Sequence, residues 1–130
     1  MIVVDASALL EVLLRRPAAH AIERRLFAGG QRLFAPHVID LEVAQVLRRF
    51  EAARELPPRR GDEAILDLVD FPLHRYRTIV LLERIWQLRG SLTAYDAAYV
   101  ALAEALEAPL ITRDARLARA AGHRAAVHVV

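Results

Sequence analysis

The chain has 130 residues, enough for one domain with a real core and too few for a second independent one. It contains no cysteine, which excludes disulfides, thiolate metal sites and cysteine nucleophiles, so any metal must bind oxygen or imidazole. The net charge is only +2, and all 18 basic residues are arginine. Arginine's planar fork suits phosphate. Coding bias or thermal adaptation would produce the same replacement of lysine, so composition permits nucleic-acid binding without establishing it. Hydrophobic residues make up 55% of the chain, a surplus that points to a partner surface. No apolar run approaches the roughly 18 residues needed to cross a bilayer, and the first apolar stretch has no basic flank. A cytoplasmic protein with no membrane partner is expected.

Short apolar runs alternate with longer helical patterns from end to end, as in a βαβ protein with a mostly parallel sheet. Ile2 to Val4 reads as the first, central strand. Helices follow over Ala6 to Leu14, closed near Pro17, and over Ala18 to Ala28, stopped by Gly29 and Gly30. Gln31 to Ala35 is the second strand. Pro36 opens a helix to about Ala53 whose apolar stripe is Ile39, Val43, Val46, Leu47 and Phe50, with Glu42 at its edge. Pro57 and Pro58 break the chain before a shorter helix from about Arg60 to Val69, so the two helices are expected to form a projecting hairpin.

Phe71 to His74 is a weaker strand, placed near an edge by Pro72. Tyr76 to Arg89 reads as a helix ended by Gly90. Thr93 then caps a helix that carries Asp96 in its first turn and Tyr95, Tyr99, Leu102 and Leu106 on one face. Pro109 to Thr112 is a strand, Asp114 starts a short helix ending at Gly122, and Ala125 to Val130 supplies the last strand.

Four carboxylates stand out against this framework. Asp5 follows the first strand, Asp114 follows the strand before the last, Asp96 opens a helix, and Glu42 sits partly buried on another. Parallel strands end on one edge, where α/β proteins build sites. Crowded carboxylates raise one another's pKa, and a cation is the usual means of holding them ionised. Oxygen-only ligands select hard cations such as Mg2+ or Mn2+, which can activate water for phosphodiester hydrolysis. Each acid also has a structural reading: Asp5 and Asp114 as N-caps, Asp96 as a dipole and capping residue, Glu42 as an ion-pair partner of Arg48 or Arg49. The catalytic reading rests on their convergence. Ser7 and Thr112 are candidates to hydrogen-bond a carboxylate or a metal-bound water. Thr93 reads as a cap, and Arg113 and Arg116 flank Asp114. Asp40, two residues before Glu42, is at best a second-sphere acid. The five histidines show no paired metal-ligand spacing, which speaks against zinc.

The segments IVVDASALL, LEVAQVLRR and TAYDAAYVALAEALEAPLITRD, in this order and spacing, resemble the PIN-domain family, specifically the VapC toxins of toxin–antitoxin pairs. The resemblance covers nearly the whole chain. It implies a single three-layer α/β/α PIN domain over residues 1–130 with a mostly parallel sheet of about five strands. It further implies that Asp5, Glu42, Asp96 and Asp114 form an acidic quartet binding Mg2+ or Mn2+ for endoribonuclease cleavage of RNA. A homodimer inhibited by a VapB-type antitoxin is implied as well, the antitoxin's C-terminal segment lying in a groove to which Leu9, Leu10, Leu13 and Leu14 would contribute. Asp40 is an acid that the family pattern does not require.

Three other functions compete. A phosphatase using Asp5 as nucleophile would want a second aspartate where this chain has Ser7, and a later lysine, which is absent. A phospho-acceptor receiver domain would want a paired acidic run after the first strand and a late lysine, both absent here. A catalytically silent PIN-like RNA-binding or scaffold protein would keep the acids only as caps.

Overall fold

The computed structural model describes residues 1–130. Five strands, β1 (Ile2–Val4), β2 (Leu33–Pro36), β3 (Leu73–Tyr76), β4 (Leu110–Thr112) and β5 (Val127–Val129), form one sheet in the order β3-β2-β1-β4-β5. Every pairing is parallel, with Ile2 opposite Leu33 and Val3 opposite Leu110 in the centre. β1 is wholly buried, as its unbroken Ile-Val-Val run requires of a strand covered on both faces. The sheet order reverses at β1, so β2 and β4 leave a crevice at its C-terminal end.

Seven helices complete a three-layer α/β/α sandwich: α1 (Ala6–Leu13), α2 (Ala19–Phe27), α3 (Val38–Ala52), α4 (Pro58–Asp70), α5 (Leu82–Gln87), α6 (Ala94–Leu106) and α7 (Ala115–Arg119). α1 packs with α2, α3 and α4, while α5 lies on α6, which covers β1, β2 and β4. In α3 the buried residues Ile39, Val43 and Leu47 recur every fourth position and turn one stripe inward. α6 buries Ala97, Ala98 and Ala101, whose small side chains admit the sheet closely. It ends at Glu107, in the left-handed region at φ 50°. No helix is long and apolar enough to cross a membrane.

Several boundaries depart from the sequence reading. Pro36 closes β2 instead of opening α3, in register with Tyr76 of β3. The helix expected over Tyr76 to Arg89 is split. Tyr76 belongs to the edge strand, Arg77 is extended, residues 78–81 form a 3-10 turn, and α5 spans only Leu82–Gln87. Pairing of β3 with β2 overrides local helical preference there, as the bond from the His37 amide to the Tyr76 carbonyl shows. Nor is the α3–α4 pair a projecting hairpin. α4 buries Ala64 and Leu68 in the core and is tied to α1 by the Arg60 guanidinium donating to the Leu13 carbonyl.

Candidate functional site

At the C-terminal end of β1 the chain turns through Asp5 into α1. Asp5 is extended, and its Oδ1 accepts the Ala8 amide at 2.9 Å, which makes it the N-cap. The same carboxylate is held by two hydroxyls, Ser7 Oγ donating to Oδ1 at 2.7 Å and Thr112 Oγ1 donating to Oδ2 at 2.5 Å. Those hydroxyls accept in turn: Ser7 Oγ takes the Arg113 amide and Thr112 Oγ1 the Asp114 amide, each at 2.9 Å. This network joins the end of β1 to the end of β4 and fixes where Asp114 begins α7. The cap of α1 and the link between the ends of β1 and β4 are therefore one arrangement.

Glu42 projects from α3 toward α6, where the Tyr99 hydroxyl donates to its Oε1 at 2.6 Å. Neither Arg48 nor Arg49 pairs with it. Asp96 lies in the first turn of α6, its amide donating to the Thr93 cap at 3.2 Å. Asp114 caps α7 and is gripped by Arg116, whose Nη2 stands 2.6 Å from Oδ2.

The four carboxylates sense one another. Burial pushes Asp5 above its ordinary pKa against the pull of its three donors, with the Asp96 charge adding to the rise. Burial also raises Glu42, with Asp96 and Asp5 contributing. Asp96 is raised by burial and then by Asp114. Asp114 alone is lowered, because the Arg116 guanidinium favours its ionised form. The Tyr99 hydroxyl is pushed up by burial and by the Glu42 charge, so it stays a proton donor. No three acids close around one point as they stand. They line an open edge where hard oxygen donors in mutual repulsion suit a cation that keeps part of its water shell.

Other expectations are redirected. Asp40 turns away from this edge and makes a two-oxygen pair with Arg75 Nε of β3 at 3.0 and 2.8 Å. It belongs to a tie across α3 and β3 rather than to a second sphere. Leu9, Leu10 and Leu13 are buried in the core and Leu14 is half-buried, so α1 offers no open leucine groove. Tyr95 does not share the inward face of Tyr99: it is 61% exposed, whereas Tyr99 is 1% exposed. Tyr99 was read only as an apolar-face residue. The signal that it does more was a tyrosine, not a phenylalanine, on a buried stripe, since a buried phenol needs a partner.

The PIN domain matches this chain over residues 2–123. Ribonuclease VapC12 of Mycobacterium tuberculosis is 39% identical over 130 residues, spanning 100% of this chain and 99% of that protein. Ribonuclease VapC9 of the same organism is 46% identical over 117 residues, 90% of this chain and 88% of the relative. Among solved structures, Mycobacterium tuberculosis VapC20, described as a sarcin-ricin loop cleaving toxin, superposes with a TM-score of 0.70 at 17% identity over 95% of this chain and 97% of that one. VapBC2 of Rickettsia felis, bound to a promoter DNA fragment, gives 0.70 at 13% identity over 99% and 98%. The structural likenesses carry the fold and the sequence relatives carry the kinship: the chain belongs to the PIN-domain family, alongside its VapC members.

Proposed function

We propose that this chain is the toxin of a type II toxin–antitoxin pair, a cytoplasmic endoribonuclease that cleaves RNA with Mg2+ or Mn2+. The carrying observation is that Asp5, Glu42 and Asp96, from three separate elements, share one sheet edge with no ion-pair partner of their own, buried or half-buried and with Asp96 raising the pKa of the other two. Asp5, Asp96 and Asp114 are the residues that would hold the cation, with Glu42 beside them. When bound, the cation neutralises the edge, lowers the pKa of its water and offsets charge developing on the phosphate.

The chain's own residues have definable tasks in this reading. Ser7, Thr112 and the Ala8 amide fix both Asp5 oxygens, so that carboxylate does not reorient during turnover. Tyr99 leaves Glu42 Oε2 free to accept a proton from the attacking water while holding Oε1. Arg116 masks the Asp114 charge in the metal-free chain and is well placed to turn to the RNA backbone once that charge is taken up elsewhere.

Relatives named VapC ribonucleases support RNA as substrate, and the VapBC complex among the structural neighbours supports a VapB-type antitoxin as inhibitor. A homodimer is part of the same proposal. Protein freed of any co-purifying partner should bind Mn2+ by calorimetry and cut structured RNAs at discrete positions with Mg2+ or Mn2+ but not with EDTA. Folded Asp5→Asn should lose both properties. RNA retention without cleavage at any metal concentration would favour a silent RNA-binding protein instead, and equal product from wild type and Asp5→Asn would assign the cleavage to a contaminant.

A further inference from the structure

Beside the acids, a groove of about 470 Å3 runs between α3 and the start of α6, within the size range of small-ligand sites. Glu42 and Asp96 form one end of it. Along α3, residues 42, 45 and 49 share a face at spacings of three and four, so the groove wall passes from Glu42 to Gln45 to Arg49 over about 10 Å. Arg49 is exposed and no carboxylate pairs with it. Opposite stands Tyr95, and Leu41, 74% exposed, completes an apolar mouth. The Tyr95 ring, on the residue next to Asp96, stays 61% in solvent while α6 turns inward from Ala97 onward, so most of its face is left open beside the acids.

We infer that this groove seats the nucleotide next to the scissile phosphate, its base stacked on Tyr95 and its edge facing Gln45, with Arg49 receiving the following phosphate. The inference rests on the nuclease reading and deepens it. Every base has a π-face, so a lone aromatic beside a cleavage site selects for unstacked, single-stranded RNA instead of a particular sequence. Gln45, with one donor and one acceptor group, supplies whatever base preference exists at this position. The charge order fits a strand that enters along Arg49 and delivers one phosphate to the acidic end. The continuity of groove and acidic edge argues for substrate over a protein segment.

The test uses anisotropy of a short fluorescein-labelled single-stranded oligoribonucleotide in Mg2+, with the Asp5→Asn chain so that it is not consumed. A second probe carries abasic residues on the same ribose-phosphate backbone. Adding Tyr95→Ala should weaken binding of the base-bearing probe roughly 5- to 150-fold, the range for losing one aromatic stack. Tyr95→Phe should restore binding, and the abasic probe should bind all three chains alike. In the otherwise wild-type enzyme the loss should fall on KM rather than kcat. Tyr95 lies at the surface, so its replacement leaves the core intact, and coincident unfolding midpoints verify this. Equal weakening of both probes would overturn the stacking role. Unchanged binding by Tyr95→Ala, in an enzyme that cleaves RNA, would overturn the inference, leave the nuclease reading standing and assign the groove to a protein partner. A wild-type chain that neither binds nor cuts RNA would fail the nuclease reading itself.

Discussion

Asp5 and Glu104 are buried almost equally, 6% and 7% exposed, yet their chemistry runs in opposite directions. Glu104, on the outer part of α6, is met by cations. Arg84 of α5 donates to it at 2.7 and 3.0 Å, the Arg124 amide adds a bond at 2.9 Å, and its pKa falls. Asp5 is met by two hydroxyls and an amide, all neutral, with other carboxylates nearby, and its pKa rises. No buried side-chain polar atom in the chain lacks a hydrogen bond. The acidic edge is thus satisfied in hydrogen bonding and unsatisfied in charge. Burial alone does not separate a structural acid from a functional one; the sign of what surrounds it does.

The sharpest way to test that contrast is Asp96→Asn. Removing this charge should reduce RNA turnover by about 10^2 to 10^3-fold, the scale for losing one preorganised electrostatic group. The same change should raise the thermal midpoint of the metal-free chain, because Asp96 raises the pKa of both Asp5 and Glu42. Loss of activity with an unchanged or lower midpoint would break the claim that the edge is held under repulsion. Arg84→Met should do the reverse. It leaves the buried Glu104 carboxylate with only the Arg124 amide and a 4.0 Å contact to the Arg124 guanidinium, and should cost up to about 3 kcal/mol of stability, a midpoint loss of up to about 10 °C, with turnover of the folded fraction kept. An unaltered midpoint would reduce the Arg84 pair to a surface contact.

The smallest effect is the pH dependence. Asp5, Glu42 and Asp96 are raised from ordinary values of 3.8, 4.5 and 3.8, so the folded chain binds protons more readily than the unfolded one. Their destabilising contribution is full above the raised values and fades as pH falls through them. Glu104, lowered from 4.5, contributes stability that is complete above 4.5 and lost as pH falls through its folded value. Metal-free stability should therefore peak on the acid side of neutrality. Asp96→Asn should flatten the neutral side of that peak by ~1 kcal/mol or less, and Arg84→Met should flatten its acid side. Denaturant midpoints across pH in EDTA measure both, and coincident profiles would remove the distinction between the two acids.

Local pattern made much of this legible. The unbroken Ile2–Val4 run placed the central strand, Pro72 put β3 at an edge, and Thr93 was readable as the cap of α6. Asp5 and Asp114 stood out because each follows a strand end. What stayed hidden depends on partners distant in sequence. Tyr99 and Glu42 are 57 residues apart, so nothing near either one announces their bond. Asp40 looked like a neighbour of Glu42 until Arg75, 35 residues on, drew it to β3. Tyr95 and Tyr99 share helical spacing, yet only Tyr99 lies deep enough along α6 to meet the sheet, which periodicity cannot distinguish. The 77–88 stretch lacks helix breakers, and the pairing of Tyr76 with β2, invisible from local pattern, is what takes the start of the expected helix into a strand.

The bond from Thr112 to Asp5 spans 107 residues. Asp5 leaves the ribosome 107 residues ahead of the Thr112 hydroxyl that orients it, and ahead of the strand β4 and the Asp114 that lie beside that hydroxyl in sequence. Domains fold as units during synthesis, and contacts between distant residues come late. A nascent chain therefore carries Asp5, Glu42 and Asp96 before the site is complete. On the proposed reading, an RNA-cutting protein made beside messenger and ribosomal RNA stays harmless to its own translation until β4 and Asp114 have been made.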